Sequence, residues 1–186
     1  MKDKMIVSIC GKSGSGKSEL AKHLAKHLGS DMALRIPCDY FLKPVNYESL
    51  EQFMSTPFMW DWKLLKDFIS NPVGSVNDIP DYNFNTYSRI SETGGIALII
   101  RRYIILDSAL PYPESDYKIL IESTDKTRIK RLKQRDKNWK SNVLKNWDKL
   151  ELTAKKLETA KFDLTLDGEK PVEENMGLVL KLLRLD

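Results

Sequence analysis

Gly11-Lys12-Ser13-Gly14-Ser15-Gly16-Lys17-Ser18 is the stretch that decides how this chain is read. It matches G-x-x-x-x-G-K-[ST], a loop whose glycines let successive backbone N–H groups curl inward around phosphate oxygens. Both flanks suit that use. Met5 to Cys10 is a short apolar run, with Ile6, Val7 and Ile9, and reads as a buried strand stopped by glycine. Gly16 to Leu28 reads as a helix with Leu20, Ala21, Leu24 and Leu28 on one face and Gly29 as its stop. The start of that helix would turn its positive dipole end toward the phosphates. Lys17 is expected at the β- and γ-phosphates and the Ser18 hydroxyl at Mg²⁺, with Gly11, Ser13, Gly14, Ser15 and Gly16 completing the nucleotide contact. A glycine-rich turn that binds nothing is the competing reading, and it leaves the agreement of the loop with both flanks unexplained.

Outward from the loop, strands and helices alternate. Ala33 to Cys38 is a second apolar run ending at Asp39; Tyr103 to Leu106 ends at Asp107, Tyr117 to Ile121 ends at Glu122, and Phe162 to Leu166 is a last strand. Helices are expected over Trp62 to Ile69, from Lys126 to about Lys137, from about Asn142 to Ala160, and from Pro171 to Leu183. In the third of these, Leu144, Trp147, Leu150, Ala154 and Leu157 recur at helical spacing. Residues 73–95, rich in Gly, Pro, Asn and Ser, read as a loop with a hairpin. The alternation predicts an α/β fold, a P-loop nucleotide-binding domain with a five-stranded parallel sheet covered by helices on both faces.

The 186 residues fit a single domain over 1–186, and 41% hydrophobic with 30% charged residues marks a globular chain. Lys plus Arg is 30 and Asp plus Glu is 26, so the net charge is only 30 − 26 = +4. The longest apolar runs, Met5-Ile6-Val7 and Ile96 to Ile100, fall far short of the roughly 20 residues that span a bilayer. The segment after Met1-Lys2-Asp3-Lys4 is also too short for a secretory signal, so a cytoplasmic location is expected. Cys10 and Cys38 read as reduced, buried thiols rather than a disulfide or metal pair. His23 and His27 read as a solvated helix surface, with no Cys or carboxylate nearby to complete a zinc set.

The sequence lacks the N-K-x-D motif of a GTPase and the signature loop and length of a transporter ATPase. It offers carboxylates at strand ends instead. In a parallel sheet Asp39 and Asp107 lie on the same rim as the phosphate loop, where a carboxylate can hold Mg²⁺ or accept a proton from an attacking hydroxyl. Asp also commonly caps whatever follows a strand. The helix from Lys126 carries Arg128, Lys130, Arg131, Lys133 and Arg135. It can be read as a nucleic-acid patch, a solvated face or a lid. Arg128, Arg131 and Arg135 share one face, no interleaved aromatics accompany them, and arginine forks suit phosphate oxygens, so a guanidinium comb over the triphosphate is the expectation.

Cys38-Asp39-Tyr40-Phe41-Leu42-Lys43-Pro44 resembles the D-x-F-Y-x-P segment of the uridine kinase and phosphoribulokinase group of P-loop kinases, a related form of which occurs in nicotinamide riboside kinases. Residues 56–65, Thr-Pro-Phe-Met-Trp-Asp-Trp-Lys-Leu-Leu, are similar to that group's H-P-x-A-F-D-W-x-L-L. Pro80 to Arg89 resembles P-x-Y-D-F-x-x-H-x-R, with Glu92-Thr93 following, and Thr127 to Asp136 resembles the T-R-L-x-R-R-x-x-R-D lid helix. The resemblance runs from about residue 5 to 167 in one order. It implies that Asp39 is the general base, that Phe41, Tyr82, Tyr87 and Arg89 shape the acceptor pocket, and that Arg135 is a lid arginine near the phosphates. Asp107 stands where the group has Glu, Ser108 where it has Gly, Tyr87 where it has His, and Leu42 where an aromatic follows D-x-F. Where the lid often ends E-R-G-R, residues 138–142 carry one cation, Lys140.

These observations predict a small kinase with an acceptor-binding insert over about 40–95 and a lid over about 125–142. It would transfer the γ-phosphoryl group of ATP to a hydroxyl of a small metabolite, a nucleoside first, with Mg²⁺ held by Ser18 and Asp107. Lys17, Asp39 and Arg135 would be catalytic, and Arg128 and Arg131 would contact nucleotide. The expected partners are ATP and a small acceptor, with neither nucleic acid nor membrane, and no oligomeric state is set. The rivals are a kinase for a sugar, a vitamin or a nucleoside monophosphate, and a regulatory nucleotide-binding protein without catalysis.

Overall fold

The computed structural model describes residues 3–44, 59–84, 86, 88–139, 144 and 147–185. Five strands form one parallel sheet: β1 (Met5–Cys10), β2 (Ala33–Pro37), β5 (Tyr103–Ser108), β6 (Tyr117–Glu122) and β7 (Leu164–Asp167). Their spatial order is β2-β5-β1-β6-β7. The apolar runs found by sequence reading are these five strands, each within about two residues of its expected ends.

The period-two alternation of the central strands sorts the core into two layers. Val7, Ile9, Ile105, Ile119 and Ile121 face one side, where α1 (Lys17–Leu28) and the last helix, α5 (Val172–Leu183), lay Leu20, Leu24, Met176, Val179 and Leu183 over them. Ile104, Leu106 and Ile36 face the other side, against Leu65 and Phe68 of α2 (Trp62–Ile69) and against Phe41. The sheet is therefore buried on both faces, which is why its strands read as near-continuous apolar runs.

Between β2 and β5 the chain adds a 3₁₀ turn (Cys38–Phe41), α2, and an antiparallel hairpin of β3 (Val76–Asn83) and β4 (Ser88–Ile99). Residues 73–95 thus carry the hairpin expected of them, and its second strand also takes up the Ile96 to Ile99 apolar run. Asp61 starts α2 by accepting a hydrogen bond from the Leu64 N–H at 3.0 Å. After β6 come α3 (Asp125–Trp139) and α4 (Trp147–Ala154), with a 3₁₀ turn over Lys155–Leu157. The helix expected from about Asn142 to Ala160 is shorter than its apolar pattern, and its expected first residues lie outside the described ones.

Register places the site. β1 pairs with β5 from Met5↔Tyr103 to Cys10↔Ser108, and β2 pairs with β5 from Ala33↔Tyr103 to Pro37↔Asp107. The loop after β1, the turn after β2 and the end of β5 therefore emerge together at the carboxyl rim of the sheet, where such sheets bind ligands.

Candidate active site

The phosphate loop has the shape its sequence requires. Gly11, Gly14 and Gly16 have φ of +154°, +82° and +109°. A Cβ on Gly11 would lie 2.4 Å from the Ile121 carbonyl oxygen, and one on Gly14 would lie 2.8 Å from that of Arg128. Side chains are excluded there by backbone that cannot move aside. α1 begins at Gly16 with no side-chain cap, which leaves its N-terminal N–H groups open to an anion. The Ser15 hydroxyl is fully buried and has no hydrogen-bond partner among the described residues. An uncapped helix start above a glycine cradle, with an orphaned hydroxyl in its wall, fits a nucleotide phosphate.

Asp107 is 5% exposed, and both its oxygens are engaged. The Ser18 hydroxyl donates to Oδ1 at 3.1 Å, and Nη2 of Arg35 donates to Oδ2 at 2.6 Å. Among the described residues no group of three or more His, Cys, Asp or Glu side chains is placed to hold a metal. One hydroxyl and one carboxylate suit Mg²⁺, which keeps several waters and takes substrate phosphates as ligands.

Asp39 lies in the 3₁₀ turn on the same rim. Its carboxylate keeps contact with solvent and makes no hydrogen bond to the described residues. The protein packed around the cleft nevertheless pushes its carboxyl above the usual aspartate range. Lys17 is the strongest opposing influence; Asp107 adds to the push, and Arg135 and Arg35 oppose it. Lys17, Asp107 and Arg135 are thus each close enough to act on Asp39.

The other two lid arginines are placed differently from a comb over the triphosphate. Arg128 is 1% exposed. Its Nε donates to the Ser13 carbonyl at 3.0 Å, Nη1 to Asp125 at 2.7 Å and Nη2 to Glu151 at 2.7 Å, while its guanidinium lies 4.5 Å from the centre of the Trp147 ring. Arg131 donates to the Gly14, Ser15 and Gly168 carbonyls. Both forks grip the outer side of the phosphate loop and fix its curvature from behind. Lys12 takes the second oxygen of Glu151 at 2.7 Å, so α4 is tied to the loop as well. Burial works to raise the Glu151 carboxyl, but the hydrogen bonds from Arg128 and Lys12 outweigh it and hold it low. Arg128→Met is expected to lower unfolding stability by about 1–3 kcal/mol, because it strips three hydrogen bonds from a buried group. Urea denaturation measures this, and unchanged stability would contradict a clamping role.

On the acceptor side, Phe41 is completely buried against Phe68, so the expected direct contact with an acceptor does not hold in this structure; the ring supports the turn that carries Asp39. Tyr82 and Arg89 face each other across the hairpin. The Tyr82 hydroxyl donates to the Lys43 carbonyl at 3.2 Å. Arg89 donates to Asp61 at 3.1 Å, and its buried Nε has no partner among the described residues. Phe84, 45% exposed, packs edge-on to Tyr40 and tilted on Tyr82, forming an aromatic group beside Asp39. Tyr87, the fourth expected acceptor residue, lies outside the described residues, as does Lys140 in the lid.

Arg35, Glu151, Tyr40 and Asp61 were not singled out by sequence reasoning. Arg35 did leave a signal, since a charged residue between Leu34 and Ile36 in an otherwise apolar strand needs a buried partner. Glu151 left a similar one, four residues after Trp147 and three before Ala154 on an apolar helix face. Cys10 and Cys38 are both buried and free, as expected, and burial raises both thiols.

The fold is that of the P-loop kinases, a parallel sheet with the phosphate loop after its first strand and a basic helix laid along the loop. In sequence the chain is similar to uridine kinases: it is 27% identical over 155 residues to the uridine kinase of Clostridium perfringens, covering 78% of this chain and 74% of that one. In structure it is similar to a Silicibacter sp. TM1040 chain named as a fructose transport system kinase, with a TM-score of 0.64, 20% identity, and 89% and 91% of the two chains covered. It is also similar to a deoxyadenosine kinase from M. mycoides with bound dATP, with a TM-score of 0.53, 16% identity, and 97% and 99% covered. No family model matches the chain. No described helix is long and apolar enough to cross a membrane.

Proposed function

We propose that this chain is an ATP-dependent kinase that transfers the γ-phosphoryl group to a hydroxyl of a small metabolite, a nucleoside such as uridine first among them. The observation that carries the reading is the meeting on one rim of an open phosphate loop, a Ser18–Asp107 pair and Asp39, an exposed residue that makes no hydrogen bond to the described residues. The resemblance of the acceptor segments to those of uridine kinases supports the nucleoside.

In this reading the loop N–H groups and the start of α1 bind the β- and γ-phosphates. Lys17 meets the negative charge that shifts toward the leaving oxygen, and Arg135 adds to it from α3. Asp39 accepts the proton of the attacking hydroxyl, and its raised carboxyl makes it a better acceptor than an ordinary aspartate. Arg128 and Arg131 hold the loop in shape and stay behind it. Tyr40 and Phe84 offer ring faces on which a planar base can rest, and Tyr82, only 3% exposed, packs against Phe84 and backs that face. Ser18 and Asp107 would hold Mg²⁺, which would supply charge neutralisation to the phosphates.

Coupled ADP release over a panel of nucleosides, hexoses, vitamins and nucleoside monophosphates tests this. Release is expected to depend on an acceptor and to be greatest with a pyrimidine nucleoside. A sugar as best acceptor would replace the nucleoside and keep the kinase. No acceptor-dependent release with any compound would favour a regulatory nucleotide-binding protein.

A further inference from the structure

We propose that Arg35 is a resident counter-ion for Asp107, a positioning residue that holds this carboxylate in the metal-free protein and sets how tightly the site takes a divalent cation. The inference rests on the reading of Ser18 and Asp107 as the cation pair.

The strand register makes the contact. Arg35 sits opposite Ile105 in the β2–β5 ladder, and Pro37 sits opposite Asp107. An arginine two residues back along an edge strand can reach forward to the carboxylate at the end of its neighbour, and the 2.6 Å bond shows that it does. A carboxylate only 5% exposed needs a partner when no cation is present, and Arg35 supplies one.

The guanidinium is otherwise loosely held. Among the described residues its bond to Asp107 is the only one it makes, and its buried Nε finds no acceptor there. Arg128 and Arg131 differ in this respect, since each is fixed by three or more partners. An arginine anchored at one end can swing aside or share its carboxylate when a cation arrives. Until it does, it occupies one oxygen and places a like charge beside the incoming ion. Both effects weaken cation binding, and both vanish when the charge is removed.

Electron paramagnetic resonance counts free Mn²⁺ in the presence of a non-hydrolysable ATP analogue, independently of turnover. Arg35→Met is expected to bind Mn²⁺ about tenfold more tightly than the parent, since like charges a few ångströms apart repel appreciably even at the effective dielectric of a protein cleft. Arg35→Lys restores the charge and is expected to stay within about threefold of the parent. Arg35→Gln keeps a donor for Asp107 without the charge, and carries the test if the Met variant does not fold. Without metal, Arg35→Met is expected to melt below the parent, and Mn²⁺ to recover more stability in it than in the parent. Unchanged or weaker Mn²⁺ affinity in both neutral variants overturns the proposal. Asp107→Asn separates the two levels: if it leaves Mn²⁺ affinity unaltered, the cation pair itself is misassigned and the Arg35 proposal falls with it. If it weakens Mn²⁺ binding while the neutral Arg35 variants match the parent, only the Arg35 proposal fails.

Discussion

Lys17→Ala is expected to abolish measurable phosphotransfer, a loss beyond about 10³-fold, since removing even one neutral donor from a charge-stabilising site costs about 10²–10³ in rate. Lys17 opens α1 directly after the glycine cradle, and its ammonium acts strongly enough across the cleft to be the chief influence opposing the upward push on Asp39. In the proposed mechanism it lies between the phosphates and the acceptor hydroxyl, where charge would migrate during transfer. It makes no hydrogen bond to the described residues, so its removal is expected to leave the melting temperature within about a degree of the parent, as for surface changes away from packed groups. ADP release and a thermal melt on the same preparation separate a catalytic loss from a folding loss. Turnover within tenfold of the parent would contradict the mechanism.

The second large effect is at Asp39. Asp39→Asn keeps size and shape and removes the proton acceptor, so kcat is expected to fall by about 10²–10⁴ with ATP affinity little changed. If Asp39 acted only through a Mg²⁺-bound water, high Mg²⁺ or Mn²⁺ would restore much of the rate. If it were only a cap, stability would fall by about 1 kcal/mol and turnover would stay; Asp39 makes no such bond to the described residues. The pH dependence carries a sign. The working form is the anion and the carboxyl is raised from the ordinary 3.8, so activity is expected to be lost as pH falls through a midpoint above that value. A profile flat down to the ordinary range, or a kcat within about threefold of the parent in Asp39→Asn, would exclude the base assignment.

The parallel sheet was legible because its central strands β1 and β5 are buried on both faces and so read as near-continuous apolar runs, one stopped by Gly11 and the other by Asp107. The phosphate loop was legible because its chemistry is local: glycines, a lysine and a serine within eight consecutive positions. The lid was less so. Arg128, Arg131 and Arg135 share a helical face, but helical spacing does not say whether that face meets solvent, ligand or protein. It meets the back of the phosphate loop for the first two, because α3 starts just after β6 and must run past the loop. Phe41 misled for a related reason. A motif fixes an order of residues, and a tight 3₁₀ turn sends Asp39 outward and Phe41 into the core two positions later. Arg35 and Glu151 reach their partners across 72 and 139 positions of chain, to Asp107 and Lys12. Only their misfit with apolar neighbours could have exposed them.

The central claim is transfer to an acceptor rather than nucleotide binding or hydrolysis. It is tested most directly by following the label of [γ-³²P]ATP in the presence of uridine and the other acceptors. The account predicts that label appears on an acceptor hydroxyl in step with ADP, that it does so with the parent protein, and that it fails to appear with Lys17→Ala. Label released only as inorganic phosphate, at the same rate with or without acceptor, would contradict it.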